Sequence, residues 1–305
     1  MVTPVQRLHL QSGLLADTHL FFQTRDIHEV ITPCIVSQAN SEPGIASFSV
    51  DSQQSWLRNS PEYEMKHVLM TAQTDIYQIA PVFRKGEYGK KHRAEFTMLE
   101  WYRLSWDYRR LMDECLDYIQ TAIANADIKI RTLPYRQLFE HSFGYNPFTC
   151  SNETLITLTA DLGYQSRSQS RAECLDFLFE FASRQHSSVE YPNTLIAIYD
   201  FPMEQASFAR ISADRTAERF EIFLNGIELA NGYGELTRSE DYYERVQLHN
   251  EIRKAQITTA ISLDEDFMQA LKKYGLTECA GVSVGIDRLL MCKAQVEDIA
   301  QIRLL

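Results

Sequence analysis

Along this chain the apolar residues recur at two different periods. Residues 5–28 carry Leu8, Leu15, Leu20, Phe21 and Ile27 at intervals that predict a helix. EVITPCIV (29–36) is β-branched and contains Pro33, which cannot continue a helix, so an extended segment is predicted. SPEYEMKHVLMTA (60–72) predicts a second helix, with Ser60 as N-cap and Pro61 in the first helical position. DIYQIAPVF (75–83) and EFTMLEWYRL (95–104) predict two strands around a polar loop. DYRRLMDECLDYIQTAI (107–123) and AECLDFLFEFASRQ (172–185) have the helical period, and TLIAIYDFP (194–202) reads as a buried strand. In RFEIFLNGIELANG (219–232), Asn225-Gly226 lies between alternating apolar residues, which predicts a hairpin with a type I′ turn. GVSVGIDRLLMCKA (281–294) predicts a small-residue strand running into a helix. Helices with hairpin-linked strands, and no βαβαβ alternation, predict an α+β fold: an antiparallel sheet flanked by helices. No repeat or long linker interrupts the pattern, so a single domain over 1–305 is expected.

Composition narrows the picture modestly. With 305 residues and 45% hydrophobic content, the chain can bury a large core. A formal net charge of −11 gives no overall electrostatic footprint for nucleic acid. The six cysteines are scattered without a C-x-x-C pair, which argues for reduced thiols over a zinc site or disulfide framework. The first residues lack a signal-peptide pattern, and no apolar run approaches the ~20 residues that span a bilayer. A cytoplasmic protein is expected.

The chemistry concentrates in residues 83–104. Period-two geometry places Phe96, Met98, Glu100, Tyr102 and Leu104 on one face of the second strand, and Glu95, Thr97, Leu99, Trp101 and Arg103 on the other. From Phe96 to Tyr102 is roughly 20 Å at ~3.3 Å per residue. A ring, then a carboxylate, then a phenol suit an elongated ligand with a flat heterocycle at one end and an ammonium at the other. A half-buried strand whose Glu100 is paired with an arginine has the same pattern. The preceding loop holds Arg84, Lys85, Glu87, Lys90, Lys91, His92 and Arg93, cations able to grip phosphates by charge-assisted hydrogen bonds. A solvated charge run is the competing explanation.

These residues carry a family resemblance. F-R-x-x-E-x-x-x-x-H-x-x-E-F-T-M-L-E-W-Y resembles motif 2 of the class II aminoacyl-tRNA synthetases in its lysyl form. GVSVGIDRL (281–289) resembles motif 3, and the N-terminal helix followed by EVITPC resembles motif 1 with Pro33. GIELANGYGEL (226–236) is similar to the lysyl-type segment between motifs 2 and 3. Motif 1 begins within the first few dozen residues, so no anticodon-binding barrel is expected before it. SPEYEMK, EFTMLEWYR and GIELANG are most similar to a protein-modifying branch of the family.

The resemblance implies an ATP-dependent, AMP-forming ligase. It would activate (R)-β-lysine or lysine as an adenylate and pass it to a lysine side chain of elongation factor P. A truncated enzyme charging tRNA, or a non-catalytic paralogue that binds an amino acid or nucleotide, are the alternatives. The resemblance also implies Mg²⁺, a homodimer formed through motif 1, and residue roles. Arg84 and Arg288 are the catalytic candidates, Arg84 on the α-phosphate and Arg288 over the adenine, whose other face stacks on Phe96. Lys85, Gly86, Glu87, His92, Arg93, Glu228, Leu229 and Gly285 complete the expected ATP site. Ser60, Pro61, Glu62, Glu100, Tyr102 and Glu235 are expected to bind the amino acid, and Glu228 and Glu235 to hold Mg²⁺. The chain departs from the family pattern in three places. Gly86 displaces the motif 2 glutamate by one position to Glu87, Arg93 replaces an asparagine, and Ser283 replaces the usual alanine or glycine, which narrows the amino-acid pocket.

Overall fold

The computed structural model describes residues 2–51, 55–125, 127–164, 170–255 and 260–304. The chain begins with α1 (Pro4–Gln23) and β1 (His28–Glu29). A small three-stranded antiparallel sheet of β2 (Ile35–Val36), β3 (Ser49–Val50) and β4 (Ser55–Leu57) precedes α2 (Glu62–Ala72). Next come β5 (Ile76–Phe83), β6 (Glu95–Leu104), α3 (Tyr108–Ile123) and β7 (Lys129–Pro134). Then follow α4 (Tyr135–Phe143), α5 (Asn152–Asp161), α6 (Arg171–Gln185), β8 (Thr194–Pro202) and the hairpin of β9 (Thr216–Leu224) and β10 (Ile227–Gly234). The chain ends with α7 (Ser239–Ala255), α8 (Glu265–Tyr274), β11 (Cys279–Gly285) and α9 (Ile286–Ala294).

The main sheet has eight strands in the order β1-β5-β6-β11-β10-β9-β8-β7. Its six central strands pair antiparallel, as expected. The outermost pairs, β1 with β5 and β7 with β8, are parallel. The α+β fold with an antiparallel sheet centre is thus as expected, and the sheet is mixed at its two edges. Parallel neighbours need a long crossover, and the helices α4 to α6 supply it between β7 and β8.

One face of the sheet is sealed throughout. Leu14 and Phe22 of α1, Leu111 and Ile119 of α3 and Leu289 of α9 pack with Leu99, Trp101, Phe220, Ile222, Val282 and Val284. The opposite face is covered only at its ends. Met65, Leu69, Tyr242 and Phe267, from α2, α7 and α8, close one end over Ile76 and Tyr102. Tyr135, Leu155 and Leu178, from α4 to α6, close the other over Ile196, Ile198 and Phe223. The hollow between them is floored by the centre of the sheet.

Two boundaries differ from expectation. α1 stops at Gln23, and Asp26 turns the chain at φ +57° so that Ile27 enters the core separately. Leu8 and Leu20 stay more than half exposed, whereas Leu14, Phe21 and Phe22 are buried. α2 starts at Glu62, with Pro61 as the capping residue instead of the first helical one. The Ser60 hydroxyl nevertheless accepts a hydrogen bond from the Glu62 amide at 3.0 Å, so it does satisfy one terminal donor. In the hairpin, Asn225 and Gly226 have φ of +50° and +72°, as a type I′ turn requires.

Candidate active site

β6 positions the first group of side chains. Its alternation is the predicted one: Leu99 and Trp101 enter the sealed core, while Met98, Glu100 and Tyr102 face the hollow. Glu100 is 4% exposed. It accepts a hydrogen bond from Tyr102 Oη at 2.6 Å and another from Ser60 Oγ at 3.1 Å. Burial pushes its carboxyl up from an ordinary 4.5 to about 8, against the lowering effect of these hydrogen bonds and of Lys66.

Three carboxylates converge at this end. Lys66 Nζ, fully buried, lies 2.6 Å from Glu62 Oε1 and 2.6 Å from Glu235 Oε2, and donates to Tyr242 Oη at 3.0 Å. Burial alone would pull the ammonium down. Glu235 and Glu62 outweigh that and hold it well above the ordinary lysine value. Gly281 on β11 leaves room for this arrangement, because a Cβ there would collide with Glu235 Oε1 and the Tyr102 ring. Ser60, Glu62, Glu100, Tyr102, Glu235 and Gly281 all line a 420 Å³ cavity. Pro61 does not line it.

The other end gathers the cations. Arg84, Glu87, His92, Arg93, Phe96, Glu228, Leu229, Gly285 and Arg288 line an adjoining 90 Å³ cavity, which shares Arg84, Met98, Asn231 and Ser283 with the first. The Arg84 guanidinium sits 5.2 Å from the Phe96 ring centroid. Its Nε is buried without a hydrogen-bond partner, a donor suited to an anion. Arg288 donates to the Glu228 carbonyl at 3.0 Å and lies 3.3 Å from Glu228 Oε2. His92 Nε2 accepts from Arg288 Nη2 at 2.7 Å. Burial, then the Arg288 charge, lower the His92 pKa, which keeps the ring neutral.

Two loop residues stand apart from the hollow. Lys85 is exposed, and Gly86 makes an exposed turn at φ +88°, where a side chain would be strained; neither lines either cavity. Glu87 does line it, 3.7 Å from Arg84. Arg93 folds back onto the carbonyls of Gly89 and His92, so its guanidinium closes the loop. Ser283 Oγ donates to the Asn231 carbonyl at 3.4 Å.

Glu228 on β10 and Glu235, the residue just past its end, are seven residues apart, an odd separation that should point them to opposite faces. A bulge between Glu228 and Ala230 inserts one residue and resets the alternation. Leu229 and Ala230 both enter the sealed core. Glu228 therefore shares the hollow face with Asn231, Tyr233 and Glu235. The strand still separates the two acids by about 20 Å at ~3.3 Å per residue. The resemblance expects both to hold Mg²⁺; here Glu235 is paired with Lys66 at 2.6 Å and Glu228 with Arg288 at 3.3 Å.

Several residues that build the site were absent from the sequence-based set. Lys66 had a visible signal, a lysine one turn after Glu62 on a helix face. Asp287 accepts the Thr97 amide at 2.7 Å and ties α9 to β6. Arg219 lies 2.5 Å from Glu221, and both line a further 240 Å³ cavity that continues past Glu228.

The model of the tRNA synthetases class II (D, K and N) matches residues 4–305. The chain belongs to the class II tRNA synthetases. Among curated relatives of this class II chain is an elongation factor P–(R)-β-lysine ligase of Avibacterium paragallinarum, 34% identical over 98% of the chain and 94% of the relative. The ligase of the same name from Haemophilus ducreyi is 33% identical over 98% and 93%, and that of Photorhabdus laumondii subsp. laumondii 35% over 98% and 94%. The class II motifs meet here as the geometry requires. Motif 2 supplies Arg84, Phe96 and Glu100, motif 3 supplies Arg288, and the segment between them supplies Glu228 on β10 and Glu235 just after it.

Proposed function

We propose that the chain is an ATP-dependent ligase. It activates (R)-β-lysine as an aminoacyl-adenylate and transfers the acyl group to a lysine side chain of elongation factor P. The observation that carries this reading is one strand face, on β6, joining a cationic chamber to an acidic one. Arg84, with its unpartnered Nε, marks the first; Glu100 and Tyr102 mark the second. The names and near full-length coverage of the relatives support the same substrates.

In the proposed sequence the amino-acid carboxylate attacks the α-phosphorus of ATP and pyrophosphate leaves. The lysine amine of elongation factor P then attacks the acyl carbon, loses a proton, and AMP leaves with the electron pair of the broken bond. Positioning and charge stabilisation carry most of the work. Arg84 holds the α-phosphate, Phe96 and Arg288 the adenine, and neutral His92 orients Arg288. Glu100 and Tyr102 take the side-chain ammonium, with Ser60 and Glu62 on the opposite wall, and Glu235 takes the second amine. Glu228 is a hard oxygen donor at the phosphate end and fits Mg²⁺, which neutralises phosphate charge when bound. The exposed Leu8, Leu20, Ile31 and Ile35 near motif 1 support a homodimer through that face.

A binding-only role is favoured by one observation: Gly86 and Arg93 replace family residues, and Arg93 closes on its own loop. ATP–pyrophosphate exchange separates the two readings. Exchange that is dependent on (R)-β-lysine and exceeds that with α-lysine is expected, and none with either amino acid would leave only binding. Radiolabelled lysine appearing on tRNA would instead favour a synthetase role.

A further inference from the structure

We propose that His141, His186 and Glu190 form a binding site for a divalent transition-metal cation, of which Zn²⁺ is the best match. The three line neither cavity of the site and come from two separate elements. His141 is in the last turn of α4. His186 and Glu190 lie on a π-type turn that extends α6, closed by the Tyr191 amide donating to the His186 carbonyl five residues back. Such turns concentrate at functional positions.

The donor atoms already converge. His141 Nε2 and His186 Nδ1 each lie 2.9 Å from the same carboxylate oxygen, Glu190 Oε2. One ligand atom from each residue lies within 4.8 Å of the others. Metal–ligand bonds of ~2.0–2.2 Å in a tetrahedron put donors roughly 3.4 Å apart, so small side-chain rotations complete the site. Two imidazoles and one carboxylate leave a fourth position for water, a set that favours Zn²⁺, Co²⁺ or Ni²⁺ over the hard, oxygen-seeking Mg²⁺. The His141 side chain is 57% exposed and gives the ion a route in.

A bound ion would pin α4 to the π turn. That turn also props the β9–β10 hairpin, because Ser187 Oγ accepts the Gly226 amide at 3.0 Å. Lys91 of the motif 2 loop donates to the Gly226 carbonyl at 2.9 Å. The metal would thus brace the strand that carries Glu228.

The test uses the full-length chain, stripped with a chelator. Co²⁺ is titrated by visible absorption and Zn²⁺ by competition with a chromophoric chelator, in the natural protein and in His141→Ala and Glu190→Gln. The expected result is one more equivalent in the natural protein than in either variant, with Zn²⁺ displacing Co²⁺. Zn²⁺ should raise its thermal midpoint by several degrees, while Mg²⁺ should not, and the His141→Ala midpoint should stay put. Both altered side chains are exposed, and circular dichroism checks that the variants fold. Identical uptake by all three proteins, or uptake by none, would overturn the proposal.

Discussion

Glu100→Gln should stabilise the folded chain by an amount that grows as the pH rises from 6 to 8. Glu100 is almost fully buried, and burial moves its carboxyl from 4.5 to about 8. Between those values the folded state keeps a proton that the unfolded chain has released. Stability is therefore unpenalised below 4.5 and falls with rising pH until about 8, by roughly 1 kcal/mol per pH unit. Glutamine does not titrate, so the slope disappears. The variant should gain about 2 kcal/mol on the natural protein between pH 6 and pH 8. Its amide keeps one acceptor oxygen, so its NH2 faces one of the two former donors, Ser60 or Tyr102, which subtracts about 1–3 kcal/mol at every pH. Urea unfolding at several pH values measures the difference directly. Glu64 and Glu221, whose carboxyls burial also raises, titrate in both proteins and cancel. A difference that stays flat from pH 6 to pH 8 would refute the reasoning. Lysine-dependent pyrophosphate exchange should fall at least about 30-fold in the same variant, because losing one partner of a buried charge pair costs about 2–5 kcal/mol.

Lys66→Met removes the cation between Glu62 and Glu235 and should cost about 3–5 kcal/mol in urea unfolding; a loss below about 1 kcal/mol would show that the cluster is not held by charge. Arg84→Ala should slow pyrophosphate exchange about 100-fold or more with little change in the urea midpoint, since the guanidinium is held by a loose 3.7 Å pair with Glu87 and its Nε has no partner to lose. An unchanged rate would remove Arg84 from the phosphate site. Gly281→Ala drives a methyl into Glu235 and Tyr102. It should cost about 1–3 kcal/mol of stability and raise the KM for the amino acid far more than that for ATP, whereas equal effects on both would contradict the two-chamber arrangement.

What could be read from the chain was decided by local geometry. The faces of β6 followed from a period of two, and the Asn225-Gly226 turn from the positive φ those residues tolerate. The placing of Glu228 could not be read this way. It depends on a single-residue bulge, which leaves no mark in the pattern, and simple alternation puts Glu228 opposite Glu235. The burial of α1 was misjudged for a related reason. Leu8 and Leu20 have the right period, but the helix turns Leu14 and Phe22 to the core, and only the packing against α3 decides that. The parallel edge pairs arise from connections, not from strand composition. Lys66 was overlooked because a lysine after a glutamate reads as a surface pair, whereas here it is enclosed between Glu62, Glu235 and Tyr242 of α7.

The most direct measurement is the intact mass of elongation factor P after incubation with this protein, Mg²⁺-ATP and (R)-β-lysine. The account predicts a gain of one β-lysyl group on a single lysine, dependent on ATP and lost with Arg84→Ala. An unchanged mass, from protein that still supports pyrophosphate exchange with (R)-β-lysine, would contradict it.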